Sequence, residues 1–195
     1  MNQEIKGNLA RLLATENLIV EHRKVPTASF DVDRRVLTLP NWDRASSVVY
    51  DMLVGHEVGH ALFTPNEDWT AKHKCPQDFI NVIEDARIEK LMKRKYPGLR
   101  KSFAGGYKEL NDQDFFGIEG EDFDTFSLID RINLHFKIGA AAMIPFSIEE
   151  QVLAASLSCC TQRYRQQSAV PLQRSHTRRC EGGTDARQFQ KESWH

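Results

Sequence analysis

The chain is poor in cysteine and has no long apolar run, and each scarcity argues against a class of protein. Four cysteines in 195 residues, Cys75, Cys159, Cys160 and Cys180, show no disulfide-framework spacing, which points away from a stapled secreted domain and towards reduced thiols. No apolar stretch approaches the ~18 residues that span a bilayer. The first 30 residues are polar and amphipathic rather than leader-like, so a soluble cytoplasmic protein without a membrane partner is expected. A broadly basic surface is also missing. Residues 1–150 carry 19 Lys and Arg against 24 Asp and Glu, so no nucleic-acid partner is expected, and the basic run Lys90 to Lys95 reads as the complement of a helix C-terminus. With 41% hydrophobic residues the chain can bury one core, assigned to a domain over residues 1–151. Residues 152–195, rich in Ser, Gln and Arg, read as an irregular tail whose Cys159, Cys160, Cys180 and His176 match no zinc template.

What the chain does contain is His56-Glu57-Val58-Gly59-His60. On a helix, histidines four apart leave one face and can share a metal ion. Glu57, about 100° further round, can take a proton from a metal-bound water without being a ligand. The motif lies in an apolar segment, Ala45 to Phe63, that reads as one helix ended by Pro65, with Asp43 or Ser46 able to cap its start. Gly55 and Gly59 are poor helix formers, so they predict close backbone approach beside the site.

Zinc in a catalytic site usually takes three protein ligands. A third histidine of the long form His-Glu-x-x-His-x-x-Gly-x-x-His is excluded, because Phe63 and Asn66 stand where glycine and histidine are needed. Pro76 to Tyr96 predicts a second helix, antiparallel to the first, with Glu84 in its middle as the leading third ligand. Asp85 is read as the acceptor of a histidine N–H or as the ligand itself, with His73 and His22 as further alternatives. Asn81 and Arg87 complete the polar cluster, whereas Glu89 and Lys90 read as a solvated helix face. Tyr107, in an expected Gly105-Gly106-Tyr107 turn, Arg87 and His135 are the candidates for stabilising an oxyanion.

The flanking segments predict an α+β fold that is mostly helical. Asn2 to Ala14 places Ile5, Leu9, Leu12 and Leu13 on one helical face. Leu18 to Val25 and Ala28 to Leu39 read as strands of a small antiparallel sheet, punctuated at Pro26-Thr27 and Asp33-Arg34. Thr27 to Val32 or Arg35 to Leu39 would be the edge that aligns an extended peptide.

Three stretches together, HEVGHALFTP, NVIEDARIEKLMKRKYPGLRKSF and GYKELNDQDFFG, resemble the zincin-type metallopeptidases of tailed bacteriophages called VWA-associated peptidases, which are related to the large cobaltochelatase subunit. The likeness runs from about Asn8 to about Gln151. It implies a zincin-like fold with a gluzincin-like zinc site: His56, His60 and Glu84 as ligands, Glu57 as general base, a peptide or protein substrate, and the host cytoplasm as location. Members usually continue into a von Willebrand A-like domain marked by Asp-x-Ser-x-Ser, and that pattern does not occur here. A VWA or AAA+ ATPase partner is therefore an expectation of the resemblance alone. The alternative function is a zinc-containing binding or assembly module without catalysis.

Overall fold

The computed structural model describes residues 3–42 and 45–163. The chain is α+β and mostly helical: α1 (Gln3–Ala14), β1 (Ile19–Arg23), β2 (Ser29–Asp31), β3 (Val36–Pro40), α2 (Ser47–Phe63), α3 (Trp69–His73), α4 (Gln77–Lys95), α5 (Leu99–Asp112), α6 (Leu128–Ile138) and α7 (Ile148–Arg163). Among the described residues no helix is long and apolar enough to cross a membrane. α7 runs through the expected domain boundary after Gln151, so residues 152–163 are helical rather than irregular. The rest of the expected tail, with Cys180 and His176, lies outside the described residues.

The sheet corrects the antiparallel expectation. Its order is β1-β3-β2, with β3 parallel to β1 and antiparallel to β2. A parallel pair needs a crossover rather than a tight turn. Residues 24–35 supply that crossover and carry β2 within it, so the β2–β3 hairpin delivers β3 into the middle of the sheet. Arg35 to Leu39 is thus central and cannot be an edge, while β2 pairs with β3 alone among the described residues.

α2 runs through the centre of the protein. Ser46 caps it, its hydroxyl accepting from the N–H groups of Val48 and Val49, and Asp43, the other expected cap, lies outside the described residues. The helix is buried from Val49 to Ala61 except at Asp51 and His60, which are half-buried, so it is packed on nearly every side rather than along one stripe. α1, α4, α5 and the sheet cover it, and Leu37, Leu39, Met52, Leu53, Val58, Met92 and Phe103 form the main core. On α1 the buried residues are Lys6, Gly7, Ala10 and Ala14, whereas Ile5 and Leu12 face solvent. The helix is rotated to let Lys6 reach Asp51 at 2.6 Å and the Ser47 hydroxyl at 2.8 Å.

Gly105 and Gly106 do not form a turn; both lie inside α5. Their role is proximity. A Cβ on Gly106 would stand 2.8 Å from Met52 Cβ, so α5 can lie against α2 only where the side chain is missing. Gly106→Ala is therefore expected to destabilise the fold by about 1 kcal/mol, a packing cost of roughly 1–3 kcal/mol outweighing a gain of about 1 kcal/mol in helix propensity. Gly98, around which a Cβ meets nothing within 4 Å, supplies the control, since its alanine variant should be neutral or stabilising when both variants are compared with the wild type by urea titration.

Candidate metal centre

The site is built where α2 and α4 cross. His56 on α2 lies opposite Glu89 on α4, and His60 opposite Asp85, so ascending positions on one helix meet descending positions on the other and the pair is antiparallel. Each helix contributes two side chains spaced by four residues, which puts them one turn apart on a single face. The Nε2 atoms of His56 and His60 stand 3.5 and 3.3 Å from the same oxygen, Asp85 Oδ1. The two rings meet edge to face with centroids 5.1 Å apart.

The far side of each imidazole is occupied. His56 Nδ1 lies 3.1 Å from Glu89 Oε1. That carboxylate also accepts from the Tyr107 hydroxyl on Oε1 and from Lys93 Nζ at 2.8 Å on Oε2. His60 Nδ1 lies 2.9 Å from the Thr64 hydroxyl, which donates its own proton to Glu84 Oε1 at 2.6 Å and so accepts from the imidazole. With Nδ1 directed at a hydrogen-bond partner on both rings, both Nε2 atoms are turned towards Asp85, the orientation a metal-binding histidine needs once Nε2 carries no proton. Among the described residues His56, His60 and Asp85 form a group able to hold a metal ion, with ligand atoms all within 4.8 Å of one another.

The electrostatics are those of buried groups that must compensate one another. Burial alone would push the His56 imidazolium towards losing its proton, but Asp85 and Glu89 beside it win and raise its pKa to about 10. Burial would likewise raise the two acids. Lys137 and His56 instead hold Asp85 well below the carboxylate range, and His56 with Lys93 brings Glu89 down to about 2. Glu57 goes the other way: burial raises it, against the pull of His56 and His60. The Tyr107 phenol is raised too, by burial and then by the Glu89 carboxylate it binds.

The structure places Asp85 rather than Glu84 beside the two Nε2 atoms. Glu84 faces away from the imidazoles, held by Arg87 Nε and Nη2, each at 2.6 Å, while its neighbour Asp85 faces them. Adjacent positions on a helix differ by about 100°, and here the two carboxylates point to different partners. Of the oxyanion candidates, Arg87 donates to Glu84 and to the Phe63 carbonyl at 2.7 Å, and the Tyr107 hydroxyl donates to Glu89. Asn81 accepts from Gln77 Nε2 at 2.7 Å, a turn beyond the cluster. His135 packs on Phe136 and Phe146, His22 lies on β1, and the side chain of His73 is outside the described ones. Three contributors were not anticipated: Glu89, Thr64 and Lys137, whose Nζ is 3.2 Å from Asp85 Oδ2. For Glu89 a signal existed, because Asp85 and Glu89 repeat the four-residue spacing of His56 and His60. Lys137 has no such local mark.

No protein-family model matches the chain, no curated protein matches it in sequence, and no solved structure matches it in fold.

Two outcomes test the geometry. Asp85→Ala should abolish stoichiometric metal binding, whereas Glu84→Ala, which only releases Thr64 and His60, should weaken it roughly ten- to hundredfold in a competition titration; the reverse ranking would restore Glu84 as the ligand. Because the His56 pKa is raised, its contribution to the stability of the metal-free protein is complete below about pH 6.5 and is lost as pH rises through about 10. Metal uptake near pH 7.5 should accordingly displace about one proton from His56, read by calorimetry in buffers of different ionisation enthalpy.

Proposed function

We propose that this chain is a zinc-dependent metallopeptidase of zincin-like fold, in which His56, His60 and Asp85 hold the metal and Glu57 is the general base. The observation that carries this reading is the convergence of two correctly oriented imidazoles and one carboxylate oxygen, with a buried glutamate next to the first histidine. The spacing of the donors suits zinc. Zinc–nitrogen and zinc–oxygen bonds of about 2.0–2.1 Å in a tetrahedron place neighbouring donor atoms about 3.3 Å apart. The two distances to Asp85 Oδ1, 3.5 and 3.3 Å, fall at that value before any ion draws the ligands in. Two neutral nitrogens and one carboxylate also match the open three-ligand pattern of catalytic rather than structural zinc.

Bound there, zinc supplies a Lewis acid and a water of lowered pKa. The chain supplies the proton handling. Burial makes the Glu57 carboxyl hold a proton more readily than an exposed glutamate does, which suits a group that takes a proton from the attacking water and returns it to the leaving amine. Substrate alignment falls to β2, the edge strand that touches α2. An extended peptide can add to such an edge through main-chain hydrogen bonds. The β2–β3 hairpin is tied to the metal helix beside His60, since Arg35 Nη2 donates to the Ala61 carbonyl at 2.8 Å. The resemblance of HEVGHALFTP and its companion motifs to phage zincin-type peptidases supports the same reading.

Glu57→Gln should keep the zinc content of the wild type and lower turnover of a peptide library by roughly 10²-fold or more. Unchanged turnover would remove Glu57 from its role. Zinc bound by a wild-type protein that cleaves no peptide would favour the assembly-module alternative.

A further inference from the structure

Lys137 is the penultimate residue of α6, and its side chain is only 3% exposed. Its ammonium lies 3.2 Å from Asp85 Oδ2 and 5.6 Å from the centroid of the Tyr107 ring. The other oxygen of the same carboxylate, Oδ1, faces His56 Nε2 at 3.5 Å and His60 Nε2 at 3.3 Å. One carboxylate is thus divided between two tasks. Burying an ammonium is costly unless it is paired and hydrogen-bonded, so this contact is strongly held. α6 is seated for it by a separate small cluster in which Ile129 and Ile132 pack on Val82 of α4, one helical turn from Asp85.

Resting on the metal-site reading above, we propose that Lys137 is a positioning residue that makes Asp85 a one-oxygen ligand and thereby sets the coordination number and metal preference of the site. A carboxylate with both oxygens free can chelate a cation through both. Larger oxygen-preferring ions exploit that, whereas zinc in a catalytic site takes three protein donors and keeps a position for water. With the ammonium on Oδ2, Asp85 cannot turn its second oxygen to the metal without giving up its contact with Lys137. Two histidines and one oxygen then make three ligands, and the fourth position stays available to water. Removing Lys137 frees Oδ2, permits chelation and moves the site towards manganese.

The charge of Lys137 also repels any divalent ion, so affinity for one metal is an ambiguous readout. The ratio of zinc to manganese affinity is not, because the repulsion acts on both dications and cancels. In the full chain, Lys137→Met is expected to lower that ratio about tenfold or more. The visible spectrum of the cobalt-loaded variant should weaken from a four-coordinate towards a five-coordinate pattern. Lys137→Arg, which keeps the charge and the donor, should restore both. Lys137→Gln, too short to reach Asp85 but able to hydrogen-bond locally, replaces the methionine variant if circular dichroism shows that one unfolded. An unchanged ratio and spectrum in a folded variant, or an equal loss for both metals, would overturn the inference while leaving the metal site standing. A wild-type protein that takes up neither metal would overturn both.

Discussion

Everything in the site depends on how closely α2 approaches α4, and that distance is set at Gly59. A Cβ at this position would stand 3.1 Å from both Ile88 Cδ1 and Met92 Cγ, so those side chains occupy the space an alanine would need. Because the helices meet there, His56 and His60 reach Asp85 and Glu89 directly, with no intervening layer of side chains. Both pairs are in register because both repeat every four residues, and an antiparallel crossing keeps two such repeats aligned for only about two turns. The glycine inside the motif is therefore a spacing element. Gly55 plays the same part towards α5, where Leu99 and Phe103 lie 3.3 Å from its missing Cβ.

That close approach brings charges together that would otherwise disfavour folding. Glu57, Asp85 and Glu89 lie within one buried cluster, and each carboxylate feels Lys137. Lys93 assists Glu89, and in the metal-free molecule the His56 imidazolium assists both Asp85 and Glu89. These cations supply the positive charge that lets so acidic a site fold. The arrangement also accounts for α6 and its secondary core. Without Val82, Ile129 and Ile132 to dock the helix, the cation that neutralises Asp85 would have no fixed place.

Sequence made the chemistry legible on α2 and blurred it on α4. The His-Glu-x-x-His motif, the end of α2 at Phe63 and the extent of α4 follow from local pattern, because each is decided within one helix. Choosing between Glu84 and Asp85 requires the rotation of α4 about its axis, which is a tertiary quantity. The apolar residues of α4 did not settle it, since a helix whose buried set includes Val82, Glu84, Ile88, Glu89 and Met92 has no single apolar stripe. The sheet's topology is hidden for a related reason. Propensity identifies strands but not their order, and only the position of β3 between its partners shows that one of its pairings is parallel. The Gly105-Gly106 pair suggested a turn because glycine's commonest use is conformational, whereas here it serves helix packing.

The position of Glu84 has a structural logic of its own. Its carboxylate binds Thr64, the residue that ends α2, and Arg87, which donates to the carbonyl of Phe63, the last residue of that helix. A cation at a helix C-terminus is favoured by the exposed carbonyls there. Thr64 in turn pairs with Nδ1 of His60, so the contacts that terminate the helix before Pro65 also set the orientation of that imidazole. Shifting the helix end by one residue would remove Thr64 from His60 and leave that imidazole free to rotate. Termination and ligand geometry are one set of hydrogen bonds, and the adjacent acids divide the work: Asp85 meets the imidazoles directly, and Glu84 reaches His60 through a hydroxyl.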